Sequence, residues 1–483
     1  MALRKTHIPD MTIPFDHSYV RDLPGCYLPQ APDVAPAPRL LVLNRDLAGD
    51  LGLDPAALEA NAARWFSGAE LPPGAQPIAL AYAGHQFGGF SAQLGDGRAH
   101  LLGEILTAKG RFDLQLKGSG RTAFARGGDG KAAVGPMLRE YLVSEAMAAL
   151  GVPTTRSLAV VATGETIWRE TGRLPGAVLA RVAASHIRVG TFQFFHARGD
   201  LARLRALMDY TIARHFPDLA PGDALGLFDA VTARQVALVA EWMGLGFVHG
   251  VMNTDNMALS GETIDYGPCA FMEAYAPDTV FSSIDRQGRY AYANQPLILG
   301  WNLARLAEAL LPFLDQDADR AIDLANARLE AIAPAYRSAF LRVMARKLAL
   351  PAPDAALSDG FLQAIAGADW TLAFRRLADA AEGRTAGLLA LVPDPALLTA
   401  WLARWQAALG ADARQRLRAA NPAVIPRNHL VEAALKAAEA GDMAPFTALL
   451  AAVRDPFGAE AGREGFTLPA PTGFGPYVTY CGT

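Results

Sequence analysis

Cysteine is scarce: three residues in 483, Cys26, Cys269 and Cys481, scattered along the chain. That excludes a disulfide framework and a Cys-rich zinc site, and fits a reducing compartment. Neither sign of charge dominates, with 44 Lys+Arg against 48 Asp+Glu and a net charge of −4. No global basic field therefore points to nucleic acid or an anionic membrane as partner, and any anion site is local. Long hydrophobic runs are missing as well. The most apolar windows, 158–162 and 387–402, are short or broken by Pro393, Asp394 and Pro395, far from the ~20 apolar residues of a membrane span. No apolar stretch follows the basic residues of the first ten positions, so a secretory signal is not expected and the reading is cytoplasmic. Nine histidines include no H-E-x-x-H pair for zinc, and no repeat of solenoid period occurs.

What the chain does have, 51% hydrophobic and 19% charged residues, can bury a large core and excludes a disordered chain. Its character changes along its length. Residues 1–75 carry many prolines and one short helical stretch at 55–66, which reads as an extension packed on a larger body. Residues 76–185 are rich in glycine loops and strand patterns, and 186–483 are mainly amphipathic helix with an Ala-rich region and an extended tail. The expected fold is α+β, with a β-rich first lobe and a helical second, monomeric by default.

In 111–117, Phe112, Leu114 and Leu116 alternate with Asp113, Gln115 and Lys117. This is the pattern of a half-buried strand, paired as a hairpin with 99–106, and it places Lys117 on the polar face. A helix follows from Pro136 to the Gly151-Val152-Pro153 stop, and its Glu140 is the candidate partner for Lys117. Gly95-Asp96-Gly97-Arg98 alone is a weak phosphate signal, since missing side chains let backbone N–H groups approach an anion but also suit a tight turn. The signal strengthens because cationic and glycine groups recur at Lys117, Arg121, Arg126, Asp129-Gly130, Arg181 and Arg188. Gly118-Ser119-Gly120-Arg121-Thr122-Ala123 fits a dinucleotide fingerprint, but residues 124–130 hold three glycines where a helix would have to open, and the strand before it alternates as antiparallel strands do. A Walker A loop fails because position 125 is Ala and position 132 is Ala.

The strongest constellation is His249-Gly250-Val251-Met252-Asn253-Thr254-Asp255-Asn256, followed by Asp265-Tyr266-Gly267. Kinase-like folds place a magnesium asparagine seven residues after such a histidine and a second magnesium ligand in Asp-aromatic-Gly. Asn256 and Asp265 satisfy both, and two hard oxygens are enough protein ligands for Mg²⁺. The aspartate expected two residues after the histidine is Val251, whereas Asp255 directly precedes the asparagine. Ordinary phosphoryl transfer to a hydroxyl is thereby in doubt, and a phosphotransferase or a nucleotide-binding scaffold without turnover stay open. His249 reads as structural.

These residues resemble the selenoprotein-O (SelO, YdiU) family of protein adenylyltransferases, once classed as pseudokinases. The resemblance is carried by Tyr82-Ala83-Gly84-His85-Gln86-Phe87-Gly88, Gln93–Arg98, Gln115–Gly120, Arg139-Glu140-Tyr141-Leu142, His249–Met257 and Asp265–Pro268, in that order. It implies a two-lobed kinase-like fold that binds ATP in a flipped orientation, with the γ-phosphate deep, and transfers AMP to Ser, Thr or Tyr hydroxyls of proteins; UTP is an alternative donor. It implies that Lys117 pairs with Glu140, that Gly95, Gly97, Arg98, Asp129, Gly130, Arg181 and Arg188 bind nucleotide, that Asn256 and Asp265 hold Mg²⁺ or Mn²⁺, and that Asp255 accepts the proton. It also implies a redox-active residue third from the C-terminus, here Cys481. The resemblance places the partner cysteine of bacterial relatives where this chain has Phe281, while this chain offers Cys269 beside Asp265-Tyr266-Gly267 as the candidate partner of Cys481.

Overall fold

The computed structural model describes residues 11–170 and 172–480. Thirteen strands occur among them: β1 (Phe15–Asp16), β2 (Tyr27–Pro29), β3 (Arg39–Leu43), β4 (Ile78–Leu80), β5 (Gly84–Gln86), β6 (Gly89–Ser91), β7 (Ala99–Thr107), β8 (Gly110–Lys117), β9 (Ala132–Ala133), β10 (Arg156–Arg169), β11 (Gly172–Ala183), β12 (Phe247–Val248) and β13 (Ala270–Phe271). Nine of them form one antiparallel sheet in the order β2-β4-β7-β8-β11-β10-β3, with β1 added on β7 and β9 on β11. The expected hairpin is β7–β8, in register from Ala99↔Lys117 to Thr107↔Gly110. β10 runs from Arg156 to Arg169 as one strand, because an irregularity between Ala162 and Thr166 carries it onward without a break.

The segment before residue 76 is woven into this sheet. It supplies β1, β2 and β3, and its helix Pro55–Trp65, capped by Asp54 with proline in the first turn, lays Leu58, Ala62 and Trp65 over the sheet. Leu114 and Leu116 of β8 are buried in that same core with Ile13, Leu47 and Phe66. β8 is therefore buried on both faces rather than half-buried. Its polar side is matched residue by residue: Asp113 receives His186 at 2.9 Å and Arg214 at 2.6 Å, Gln115 donates to Asp96 at 2.8 Å, and Lys117 meets Glu140. Burying that row is tolerable only because every member has a partner.

The helix Val134–Ala149 crosses the sheet and buries Val134, Met137, Leu138, Tyr141 and Leu142. Its outer side is covered from far along the chain by Asn428–Glu439 and Ala444–Val453, through Val431, Leu435, Phe446 and Leu449. The rest of the second half is a helical body around Ala224–Leu245, which Asp223 caps and Gly246 ends in a left-handed turn at φ +68°. Directly after it β12 pairs with β13, which closes the loop containing 249–269. The helix Gln295–Leu310 steadies that loop: Gln295 donates to Phe247 O and accepts from His249 N–H, and Asn302 donates to Met252 O at 2.8 Å. His249 is fully buried and bonded to Ile264 O at 2.9 Å, a packing role. No helix among the described residues is long and apolar enough to cross a membrane.

Candidate active site

Between the sheet and the 249–269 loop lies a cavity of about 270 Å³. It is lined by Gly95, Gly97, Arg98, Lys117, Asp129, Gly130, Arg181, Arg188, Asp255, Asn256 and Asp265, all singled out in the sequence. Strand ends and loops bring them together. Lys117 closes β8, Arg181 stands opposite Gln115 on β11, and the 94–98 and 118–130 loops meet over the cavity through Thr122 Oγ1 donating to Asp96 O and Gly118 N–H to Arg98 O, both at 2.7 Å, while Gly120 N–H donating to Gly130 O at 3.0 Å closes the second loop on itself. Gly130 has φ +70°, and a Cβ there would lie 2.2 Å from the Gly120 carbonyl carbon. Glycine is required at this crossing on both grounds.

Charge in the cavity is layered. Glu140, set behind the lining on the Val134–Ala149 helix, accepts from Lys117 and from Arg181 at 3.1 Å, and all three side chains are at most 8% exposed. Lys117 also reaches Asp265 Oδ1 at 2.9 Å. Asp265 sits in left-handed backbone at φ +69°, a conformation that asparagine and aspartate tolerate better than most residues, and its side chain is 34% exposed, toward the cavity. Burial alone would raise its carboxyl; Lys117, by charge and hydrogen bond, and the charges of Arg98 and Arg181 outweigh that and hold it well below the usual range. Tyr266, fully buried, anchors it from behind through a hydrogen bond with Thr154.

Asp255 and Asn256 lie in a short 3₁₀ turn, Thr254–Asn256. Asn256 donates its amide to Val251 O at 3.1 Å, which leaves the carbonyl oxygen as the ligating end. Together with the ionised Asp265 it offers two hard oxygens on one cavity wall, a donor set that fits Mg²⁺ or Mn²⁺ completed by phosphate and water. Asp255 is 8% exposed, with Oδ1 buried and unpartnered. Burial pushes its carboxyl up to about 6, against the pull of Arg188. Arg188 is itself buried: it donates to Asp255 O at 2.9 Å, lies 3.7 Å from Asp96 and stacks on Tyr82 at 4.3 Å.

The family described as protein adenylyltransferase SelO matches residues 11–454. The chain belongs to the SelO family. It is 62% identical over 484 residues to the protein nucleotidyltransferase YdiU of Cereibacter sphaeroides, covering 98% of this chain and all of that one. It is 55% identical over 488 residues to the YdiU of Sphingopyxis alaskensis, covering 98% and 100%, and 54% identical over 490 residues to that of Mycolicibacterium paratuberculosis, covering 98% and 99%. This SelO-family protein is a nucleotidyltransferase.

Two lining groups of this SelO-family chain had no motif to announce them. Lys131 and Arg169 stand on the rim, where Arg169 pairs with Asp129 at 2.8 Å and Lys131 with Asp33 and Glu165 at 3.1 and 3.2 Å. Asp96 and Tyr82, which stand in the Gly95–Arg98 and Tyr82–Gly88 motifs, also line the cavity. The clue to Lys131 and Arg169 was only that Arg169 ends the long strand β10 and Lys131 precedes the two-residue strand β9, so their meeting, with Arg169 donating to Lys131 O at 2.8 Å, needed the sheet. Of the two cysteines read as a redox pair, Cys269 is fully buried, its thiol pushed up to about 12 by burial, which leaves it a poor nucleophile. Cys481 lies outside the described residues.

Proposed function

We propose that the protein transfers AMP from ATP to Ser, Thr or Tyr hydroxyls of other proteins on a kinase-like fold. The observation that carries this reading is the placement of Asp255. A buried carboxylate stands beside Asn256 at the cavity wall, while the position at which a kinase holds its base is Val251. In the proposed reaction the acceptor oxygen bonds to the α-phosphorus, the α–β phosphoanhydride bond breaks, pyrophosphate leaves, and the acceptor proton passes to Asp255. Lys117, Arg181 and Arg188 supply fixed positive charge for a triphosphate held with its γ end deep, and preorganised cations need no rearrangement as charge shifts to the leaving group. A divalent cation on Asn256 and Asp265 supplies further charge neutralisation when bound. The nucleotidyltransferase names of the relatives weigh against a scaffold without turnover.

Incubating the purified protein and a general protein acceptor with Mg²⁺ and either α- or γ-labelled ATP tests the reading. Incorporation of the α label alone, lost in Asp255→Ala, is the expected result. Label from the γ position would make the protein a phosphotransferase, and tight ATP binding with neither label would make it a scaffold.

The pH dependence follows from the same carboxylate. Asp255 accepts a proton only when ionised, and its carboxyl lies at about 6, so the transfer rate is expected to fall about tenfold per pH unit below that value and to level off above it. A cation on the adjacent Asn256 moves this limb to lower pH, never higher. A rate that rises on acidification would remove Asp255 from the role.

A further inference from the structure

One motif of the sequence takes no part in the site as described: the hairpin β5–β6. Its strands pair Gly84↔Ser91, His85↔Phe90 and Gln86↔Gly89, and three consecutive residues grip three consecutive residues of the catalytic loop. His85 N–H donates to Thr254 Oγ1 at 2.7 Å, Phe87 N–H donates to Asn253 Oδ1 at 3.1 Å, and Gln86 Nε2 stands 3.5 Å from Asp255 Oδ2. The alternation of a strand sends Gly84 and Gln86 to one face and His85 to the other. On that other face His85 packs on Phe90 at 4.8 Å and Trp301 at 5.1 Å and bonds Gln193 at 2.8 Å, which anchors the hairpin to the helices Val189–His196 and Gln295–Leu310.

The face toward Asp255 is shaped to it. A Cβ on Gly84 would fall 2.3 Å from Asp255 Oδ1, so the carboxylate rests where only a glycine leaves room. Among the described residues Gln86 is the one side chain that donates to this carboxylate. Without it, rotation about the Cβ–Cγ bond would be opposed only by packing, by the residue's own backbone N–H and by the pull of Arg188, since Oδ1 has no hydrogen-bond partner.

We infer that Gln86 is a positioning residue for nucleotidyl transfer, its amide fixing the rotation of the Asp255 carboxylate on the Gly84 floor so that the carboxylate meets the acceptor hydroxyl. The inference rests on the reading of Asp255 as proton acceptor. The 3.5 Å separation is long for a hydrogen bond, as catalytic contacts often are before substrates bind, and shortens in the loaded enzyme. Gln86 is not among the residues lining the nucleotide cavity, so its contribution belongs to the rate of the chemical step and not to ATP binding.

The test is Gln86→Met, close in shape but without a donor, in the full-length protein with Mg²⁺, ATP and a protein acceptor. The expected result is a kcat about 10–100-fold lower, with ATP affinity, acceptor KM and the thermal midpoint held within twofold or within a degree or so of wild type. Gln86→Glu, which keeps the shape but turns the donor into a second acceptor, is expected to lose at least as much. In the Asp255→Ala background Gln86→Met is expected to change nothing further, because two groups acting as one unit are not additive. If Asp255→Ala transfers AMP at the wild-type rate, the reading of the site falls. If Asp255→Ala is impaired but Gln86→Met keeps wild-type kcat, or loses ATP affinity and thermal stability in step with kcat, the inference alone falls.

Discussion

Asp265→Asn is expected to lower AMP transfer by about 10³-fold, the scale seen when one preorganised charge is taken from a transition state, while the protein stays folded. Two effects add. The neutral amide keeps the shape but loses the charge that makes this oxygen a magnesium ligand. It also releases Lys117, which now divides its ammonium between Glu140 and Asp265. The fold should survive because Asp265 is a third exposed and asparagine accepts its left-handed backbone at φ +69° as readily as aspartate does. The measurement is α-label incorporation beside a thermal melt, repeated at rising Mg²⁺. Recovery of wild-type transfer at high Mg²⁺ would mean that Asp265 only raises cation affinity; a rate that stays low at saturation places its charge in the chemical step.

Which parts of this arrangement were legible before folding follows from the range of each signal. The β7–β8 hairpin and the Val134–Ala149 helix were readable because their evidence is local: alternation over a few residues, and a glycine-proline stop. Lys117, Glu140, Asn256 and Asp265 were readable for a different reason, a fixed order and spacing that chemistry demands. Long-range pairings were not. That β1, β2 and β3 join a sheet whose centre is β7, β8 and β11 has no local mark, since each is two to five residues long. The alternation in β8 even misled, for a polar face normally meets water, and here Asp113, Gln115 and Lys117 meet partners from Arg214, Asp96 and Glu140. The rim pair Arg169–Asp129 and the Gly84–Asp255 contact likewise exist only once distant segments touch.

The buried ions predict a marked asymmetry between two partners of one salt bridge. Glu140 serves two cations, Lys117 and Arg181, each nearly excluded from solvent. Glu140→Ala strips the carboxylate from both, and orphaning a buried charge costs about 3–5 kcal/mol; among the described residues Gln115 and Asp265 remain as hydrogen-bond and ion-pair partners to take them up. Lys117 would then turn wholly to Asp265 and occupy the carboxylate that the cation needs, so transfer should vanish along with much of the stability. Lys117→Met is different. Glu140 keeps Arg181 at 3.1 Å, and Asp265 keeps its contact with solvent, so no buried charge is left alone and the stability change should stay within about 1 kcal/mol. Transfer should still fall by two orders of magnitude or more, because a cation is missing from the triphosphate site. Chemical denaturation and α-label incorporation, run on both variants, separate the two roles. Equal destabilisation by the two substitutions would show that Arg181 does not depend on Glu140, and that the helix carrying it is held by its apolar contacts with Val431, Leu435 and Phe446 alone.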